Sequence, residues 1–125
     1  MSTLPSSFNE AWDNREPRMI FSTVNTSGEP NAVWVLCVNK LDDQRILIAN
    51  NFFNKTLENI NSGSKGSLLF IAPEREAYQI KGSLEYYTDG PIYQEMKDWL
   101  DPKFAGVGAV ILNIDSIYYG AEKVF

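Results

Sequence analysis

Histidine is absent from all 125 residues. That removes Ser-His-Asp and Cys-His nucleophilic chemistry and every histidine-ligated metal site together. Cysteine occurs once, as Cys37 inside an apolar run, so no disulfide framework or thiolate cluster is expected and an inert core thiol is the simplest reading. No apolar stretch reaches membrane-spanning length, and no charged-then-apolar leader opens the sequence. The expectation is a cytoplasmic protein without a membrane partner. A basic excess is also missing: 16 acidic against 11 basic residues give a net charge of -5, which opposes sequence-independent binding to nucleic acid or anionic membrane. The carboxylates do not cluster. Asp42-Asp43 sits between two apolar runs as a turn would, while Asp13, Glu16, Asp98 and Asp101 have no second ligand at a diagnostic spacing. Chemistry in such a chain needs a cofactor.

What is present reads as a single domain over residues 1–125, long enough to bury its own core. Phe8 and Trp12 are four apart, one helical face, with Ser6 or Ser7 able to cap a helix that Pro17 ends. Three strands follow in succession at Arg18–Asn25, Asn31–Leu41 and Arg45–Ala49, joined by Ser27-Gly28-Glu29-Pro30 and by Asp42-Asp43-Gln44, so an antiparallel arrangement is expected. Lys65–Ala72 and Ala77–Thr88 are two more, the second carrying Gly82 where a bulge would sit. A helix over Ile92–Leu100 places Ile92, Met96 and Trp99 or Leu100 inward, and Ala109–Ile114 is the last long strand. Six strands with short helices and hairpin-length links predict a mainly β, closed or nearly closed antiparallel barrel. Ala32–Val38 is apolar at nearly every position, which implies cover on both faces, by the protein's own helices or by a second copy. The aromatic tail around Ile117–Tyr119 either seals the barrel or reaches a neighbour.

The stretch Ile46–Asn61 holds the strongest functional signal. An apolar strand breaks at Asn50-Asn51, and a helical pattern restarts at Asn54 with Leu57 and Ile60 three apart. Asn54 as N-cap, followed by Lys55 and Thr56, would bring backbone donors, an ammonium and a hydroxyl to one helix start, a corner suited to phosphate. Spacing alone does not separate that corner from an ordinary capped helix with a solvated lysine.

These pieces in this order, with Lys81-Gly82-Ser83 and Thr88-Asp89-Gly90-Pro91 entering a helix, resemble the FMN-binding split-barrel superfamily of pyridoxamine 5'-phosphate oxidase, most closely its small single-domain flavin-binding proteins. The resemblance covers nearly the whole sequence. It implies a six-stranded antiparallel split barrel and a homodimer with FMN at the subunit interface. On that pattern Asn54, Lys55 and Thr56 stand at the FMN phosphate, while Val33, Trp34 and Val35 and the strand end Ala49, Asn50 and Asn51 run beside the ribityl chain and ring. Phe104 and Tyr118 are the aromatic candidates for covering the flavin from the partner subunit; each also suits plain packing. Departures matter too. The oxidase proper uses arginine and histidine in a C-terminal region, whereas here histidine is absent and Lys123 is the one late cation, so pyridoxamine-phosphate oxidation is not expected. The resemblance implies a small oxidoreductase or electron-transfer flavoprotein with a redox partner or small-molecule substrate; a flavin-storage module, or an interaction domain that has lost the cofactor, are the other readings.

Overall fold

The structure, a computed structural model, describes residues 3–125. Helix α1 (Ser6–Asp13) leads into strands β1 (Met19–Val24), β2 (Pro30–Val35), β3 (Val38–Asp42) and β4 (Arg45–Asn50), then helix α2 (Lys55–Asn61). Strands β5 (Gly66–Ala72) and β6 (Glu76–Tyr87), helix α3 (Gly90–Trp99), and strands β7 (Gly108–Tyr119) and β8 (Glu122–Lys123) complete the chain. One antiparallel sheet runs β2-β1-β5-β6-β7-β4-β3, with β8 paired to β7. Its two edge strands, β2 and β3, are consecutive in sequence. The chain therefore closes the curled sheet through Leu36-Cys37 rather than through a strand ladder, and the barrel is split at that seam.

This is the expected mainly β split barrel, with eight strands where six were predicted. The single strand expected over Asn31–Leu41 is two. Val35 pairs with Met19, the first residue of β1; Pro17, just upstream, has no N–H to extend the ladder. With no partner beyond Val35, the chain leaves β1 and re-pairs on β4 from Val38 opposite Ile48. At the other end, β7 continues past Ile114 to Tyr119 because Gly82 allows a register shift: Lys81 faces Ser116, and Gly82 faces Ile114. The bulge predicted at Gly82 is present, and the tail turns at Gly120 to add β8.

Alternation decides what fills the barrel. Phe21, Leu68, Ile80 and Ile117 are in register across β1, β5, β6 and β7 and are completely buried. Helix α1 plugs one end, as its spacing predicted: Phe8 stacks edge-on against Phe70 and Tyr78 at 5.8 Å, and Trp12 meets Phe70 at 5.3 Å. Its N-cap position is taken by Pro5 without a side-chain cap, not by Ser6 or Ser7. Arg15 locks the plug. Its guanidinium lies 4.1 Å over Trp12 and donates to the carbonyls of Trp12 and Val38, and its desolvation lowers its pKa against the opposing pull of Asp13. Helix α3 packs outside the barrel against β4 and β7 through Met96, with Leu100 just beyond its end. Leu100 is the buried residue there; Trp99, expected inward, is 38% exposed.

The outer face on the other side has no helix over it. Trp34, Ile20, Leu69, Gln79 and Tyr118 form one row across five strands, and Ala32, Ser22, Ser67, Lys81 and Ser116 form the next. The two-sided cover expected for Ala32–Val38 is thus absent among the described residues. Val35 is buried and Trp34 is 68% exposed, because β2 is an edge strand and α3 lies over β4 and β7 instead.

Candidate functional site

A cleft of about 300 Å³ opens at the seam of the barrel. One bank is β2 and its continuation, Val33 to Leu36; the other is the end of β4 and the loop after it, Ala49 and Asn51 to Phe53, with Phe104 closing one end. Every lining side chain but Asn51 is apolar. Strand β2 pairs with β1 on one side only, so alternate backbone N–H and C=O groups on its free edge are available to a ligand.

Two asparagines hold this geometry. Asn50 is buried; its amide donates to the Tyr86 hydroxyl at 2.8 Å, and its side-chain oxygen accepts the Phe53 N–H at 2.8 Å. A Cβ on Gly108 would run into that same tyrosine hydroxyl, so glycine there makes room for the bond. Asn51 accepts the Gly106 N–H at 2.9 Å and donates to Cys37 Sγ at 3.5 Å. The wall bearing Phe104 is tied from α3, where Lys97 Nζ donates to the carbonyls of Ala105 and Gly106. Asn50 and Asn51, placed beside a ring by resemblance, spend their side chains on the frame. What they leave to a ligand is backbone and position.

Two residues along β2 from Val33, or roughly 7 Å at the usual strand rise, Asn31 lines a second and larger cleft with Lys55, Glu58, Asn59, Glu29 and Asn25. Lys55 is exposed and has no ion pair or side-chain hydrogen bond among the described residues. Asn54 occupies the N-cap position, yet its side chain makes no capping bond. Thr56 turns inward, is 1% exposed, and accepts the Asn31 amide at 2.9 Å. Helix α2, at seven residues, is too short to gather much dipole. The full positive charge at this end is therefore Lys55, facing two carboxylates in the same cleft.

The expected site residues divide accordingly. Val33, Trp34, Val35, Ala49, Asn51 and Phe104 come together in the apolar cleft, with Asn50 behind it; Lys55 lies in the adjoining one. Tyr118 is elsewhere. It shares the uncovered row with Trp34 but stands four strands away, roughly 19 Å along the sheet, with Lys81 Nζ 4.9 Å over its ring. Reading the sequence missed Leu36, Phe52, Phe53, Asn31, Glu29 and Glu58. Adjacent phenylalanines in the otherwise polar loop Asn50–Asn54 were the available signal. A hydrogen-bonded pair away from both clefts shifts its own titration: the Tyr87 hydroxyl and Asn113 amide hold Glu85 below the usual carboxylate range, and Glu85 in turn raises Tyr87.

The residues fit FMN in part by shape and in part by charge. The apolar cleft with a free strand edge suits a planar ring that has both hydrocarbon and amide-like edges, and the unpaired ammonium of Lys55 suits the phosphate, diluted by Glu29 and Glu58. Residues 8–118 match the pyridoxamine 5'-phosphate oxidase family. The chain belongs to that family. Its fold is the FMN-binding split barrel of this family, as expected from the sequence. An uncharacterised protein of Methanocaldococcus jannaschii is 36% identical over 109 residues, 82% of this chain and 73% of that one. Among solved structures, HupZ of Group A Streptococcus superposes with a TM-score of 0.82 at 22% identity, over 94% of each chain. An FMN-binding protein of Syntrophomonas wolfei gives a TM-score of 0.71 at 17% identity, over 94% of this chain and 82% of its own. At those identities the two structures speak for the fold alone. No helix among the described residues is long and apolar enough to cross a membrane.

Proposed function

We propose that this protein binds FMN at the barrel seam and works as a small redox flavoprotein. The observation that carries this reading is the order of the residues that line the two clefts. Val33 and Asn31 on one bank, and Phe53 and Lys55 on the other, line first an apolar slot and then a polar end with a free ammonium, the order of a ring and a phosphate joined by a chain. The β2 edge and the apolar walls would hold the ring, and Lys55 the phosphate. Bound there, FMN supplies one- and two-electron chemistry; the chain's own residues position and shield it. A visible absorption spectrum of the purified protein, taken before and after adding FMN and desalting, tests the reading. About one flavin retained per chain supports it, and none under either condition removes it.

The functional unit in this reading is a homodimer. Trp34 is at once a wall of the apolar cleft and part of the uncovered outer face, so a second copy seated on that face would cover the Trp34 side of the cleft. Trp34→Lys is expected to convert a sedimenting dimer to monomer and to loosen the flavin. A Trp34→Lys protein that stays dimeric would rule out this face.

Glu29 and Glu58 share the cleft with Lys55, and like charge beside a phosphate weakens its binding. Glu58→Gln is accordingly expected to tighten FMN about two- to fivefold, an exposed pair being worth up to about 1 kcal/mol, with riboflavin unchanged. Isothermal titration with both flavins reads the difference.

A further inference from the structure

We infer that the open mouth of the apolar cleft admits a neutral, planar electron acceptor of the quinone type, an inference that rests on the FMN reading above. The residue that points to it is Phe52, which lines the cleft yet is 86% exposed. Its outward position is imposed from both sides. Asn51 is bonded to Gly106 and Cys37; Phe53 is bonded through its N–H to Asn50, with its ring 5.9 Å from that of Phe21. A phenylalanine held in water by a firmly tied loop forgoes burial that a looser loop would recover, and its ring is left free to stack on a flat ligand.

The opposite rim is apolar too. Leu36, 48% exposed, and Phe104 line the same opening. No carboxylate, ammonium or guanidinium lines it, and the one polar side chain, Asn51, has both its oxygen and its nitrogen engaged. Lys103 is the cation against this wall, and its ammonium lies over the Phe104 ring at 5.2 Å. A charged acceptor would shed water between walls that carry no charge, with the rim ammonium of Lys103 alone to offset an anion, whereas a neutral aromatic carbonyl compound would bury apolar surface between two aromatic rims. Trp34 belongs to the side of the cleft that a second copy would cover. The redox step balances without a protein acid or base: dihydroflavin gives up two electrons and two protons, both quinone carbonyls become hydroxyls, and a reduced nicotinamide restores the flavin.

The test uses the full chain loaded with FMN, with 1,4-naphthoquinone and its 2-sulfonate as a neutral and an anionic probe. Under anaerobic conditions, oxidised holoprotein is titrated with each while flavin absorbance and tryptophan fluorescence are followed; dithionite-reduced holoprotein is then mixed with each in stopped flow, and free reduced FMN serves as reference. The neutral quinone is expected to perturb both spectra and, relative to free FMN, to reoxidise the protein about tenfold faster than the sulfonate does. In protein kept saturated with FMN, Phe52→Ser is expected to weaken neutral-quinone binding about tenfold, the upper end for an aromatic stack, and to remove the preference for the neutral probe over the sulfonate. Retained flavin with no preference between the probes, or a Phe52→Ser protein that binds naphthoquinone as tightly as the parent, overturns the inference and leaves the FMN reading intact. A protein that retains no flavin overturns both.

Discussion

Lys55→Ala is expected to weaken FMN binding roughly 10- to 100-fold, the range of a charge-assisted phosphate contact, while riboflavin binding stays within about twofold. The comparison matters more than either value. Riboflavin carries the same ring and ribityl chain without the phosphate, so a loss shared by both ligands would place Lys55 at the ring or in the fold, and a loss confined to FMN places it at the phosphate. The structure makes Lys55 unusually exposed to this test. Thr56 is buried and already accepts a bond from Asn31, Asn54 makes no cap, and α2 has fewer than two full helical turns, so little else at this end replaces the missing charge. Exposure keeps the effect toward the lower end at physiological salt, and it should shrink further as salt is raised. Equal losses for the two flavins would remove Lys55 from the phosphate end.

Gly82→Ala is expected to destabilise the fold by at least about 3 kcal/mol, the scale of an overpacked core site, and to lower Tm by on the order of 10 °C or more. The cause is steric rather than conformational. A Cβ at Gly82 would fall inside the carbonyl oxygen of Asn113 and close to the Asp115 N–H, where β6 and β7 change register. These groups belong to the backbone of a paired ladder and cannot swing aside. Gly28 offers the contrast. Its φ is +82, but nothing lies within 4 Å of a Cβ there, so Gly28→Ala should cost only about 1 kcal/mol, from backbone strain alone. Thermal unfolding of the two variants side by side checks the ranking, and a Gly82→Ala protein as stable as Gly28→Ala would mean that the bulge relaxes freely. Because the bulge sets how far β7 runs beyond Ile114, Gly82→Ala should also disturb Tyr118 and the β8 turn before it touches the cleft.

Much of the barrel was legible because it depends on neighbours along the chain. The four-residue spacing of Phe8 and Trp12, the turn at Asp42-Asp43-Gln44 and the glycine in an alternating strand each led to the element observed. The Asp42 side chain accepts the Gln44 N–H at 2.8 Å and pairs with Arg45 at 2.8 Å, which is the local chemistry that turn residues advertise. Within the candidate site, Val33, Trp34, Val35, Ala49 and Asn51 were named from sequence and resemblance, and the fold brings them to one cleft; Phe104, named as a cover from the partner subunit, lines the cleft of its own chain. Phe52 and Phe53 were not legible as cleft residues, since two adjacent phenylalanines in a loop carry no periodicity that says which way each ring points.

The sequence by itself determined the class of chain: mainly β, without histidine chemistry or a disulfide frame, with helices at Phe8–Trp12 and after Asn54, and a bulge at Gly82. These follow from residue chemistry and from spacing over a few residues. Only the tertiary structure decided that Ala32–Val38 divides at Leu36-Cys37, because the break comes where β1 runs out of partners. It alone turned Thr56 inward to Asn31, 25 residues away, left Lys55 as the free cation beside Glu29 and Glu58, and set Trp34 on an uncovered face. Pairing across the sheet is settled by partners distant in sequence, and a side chain's direction there is fixed by register.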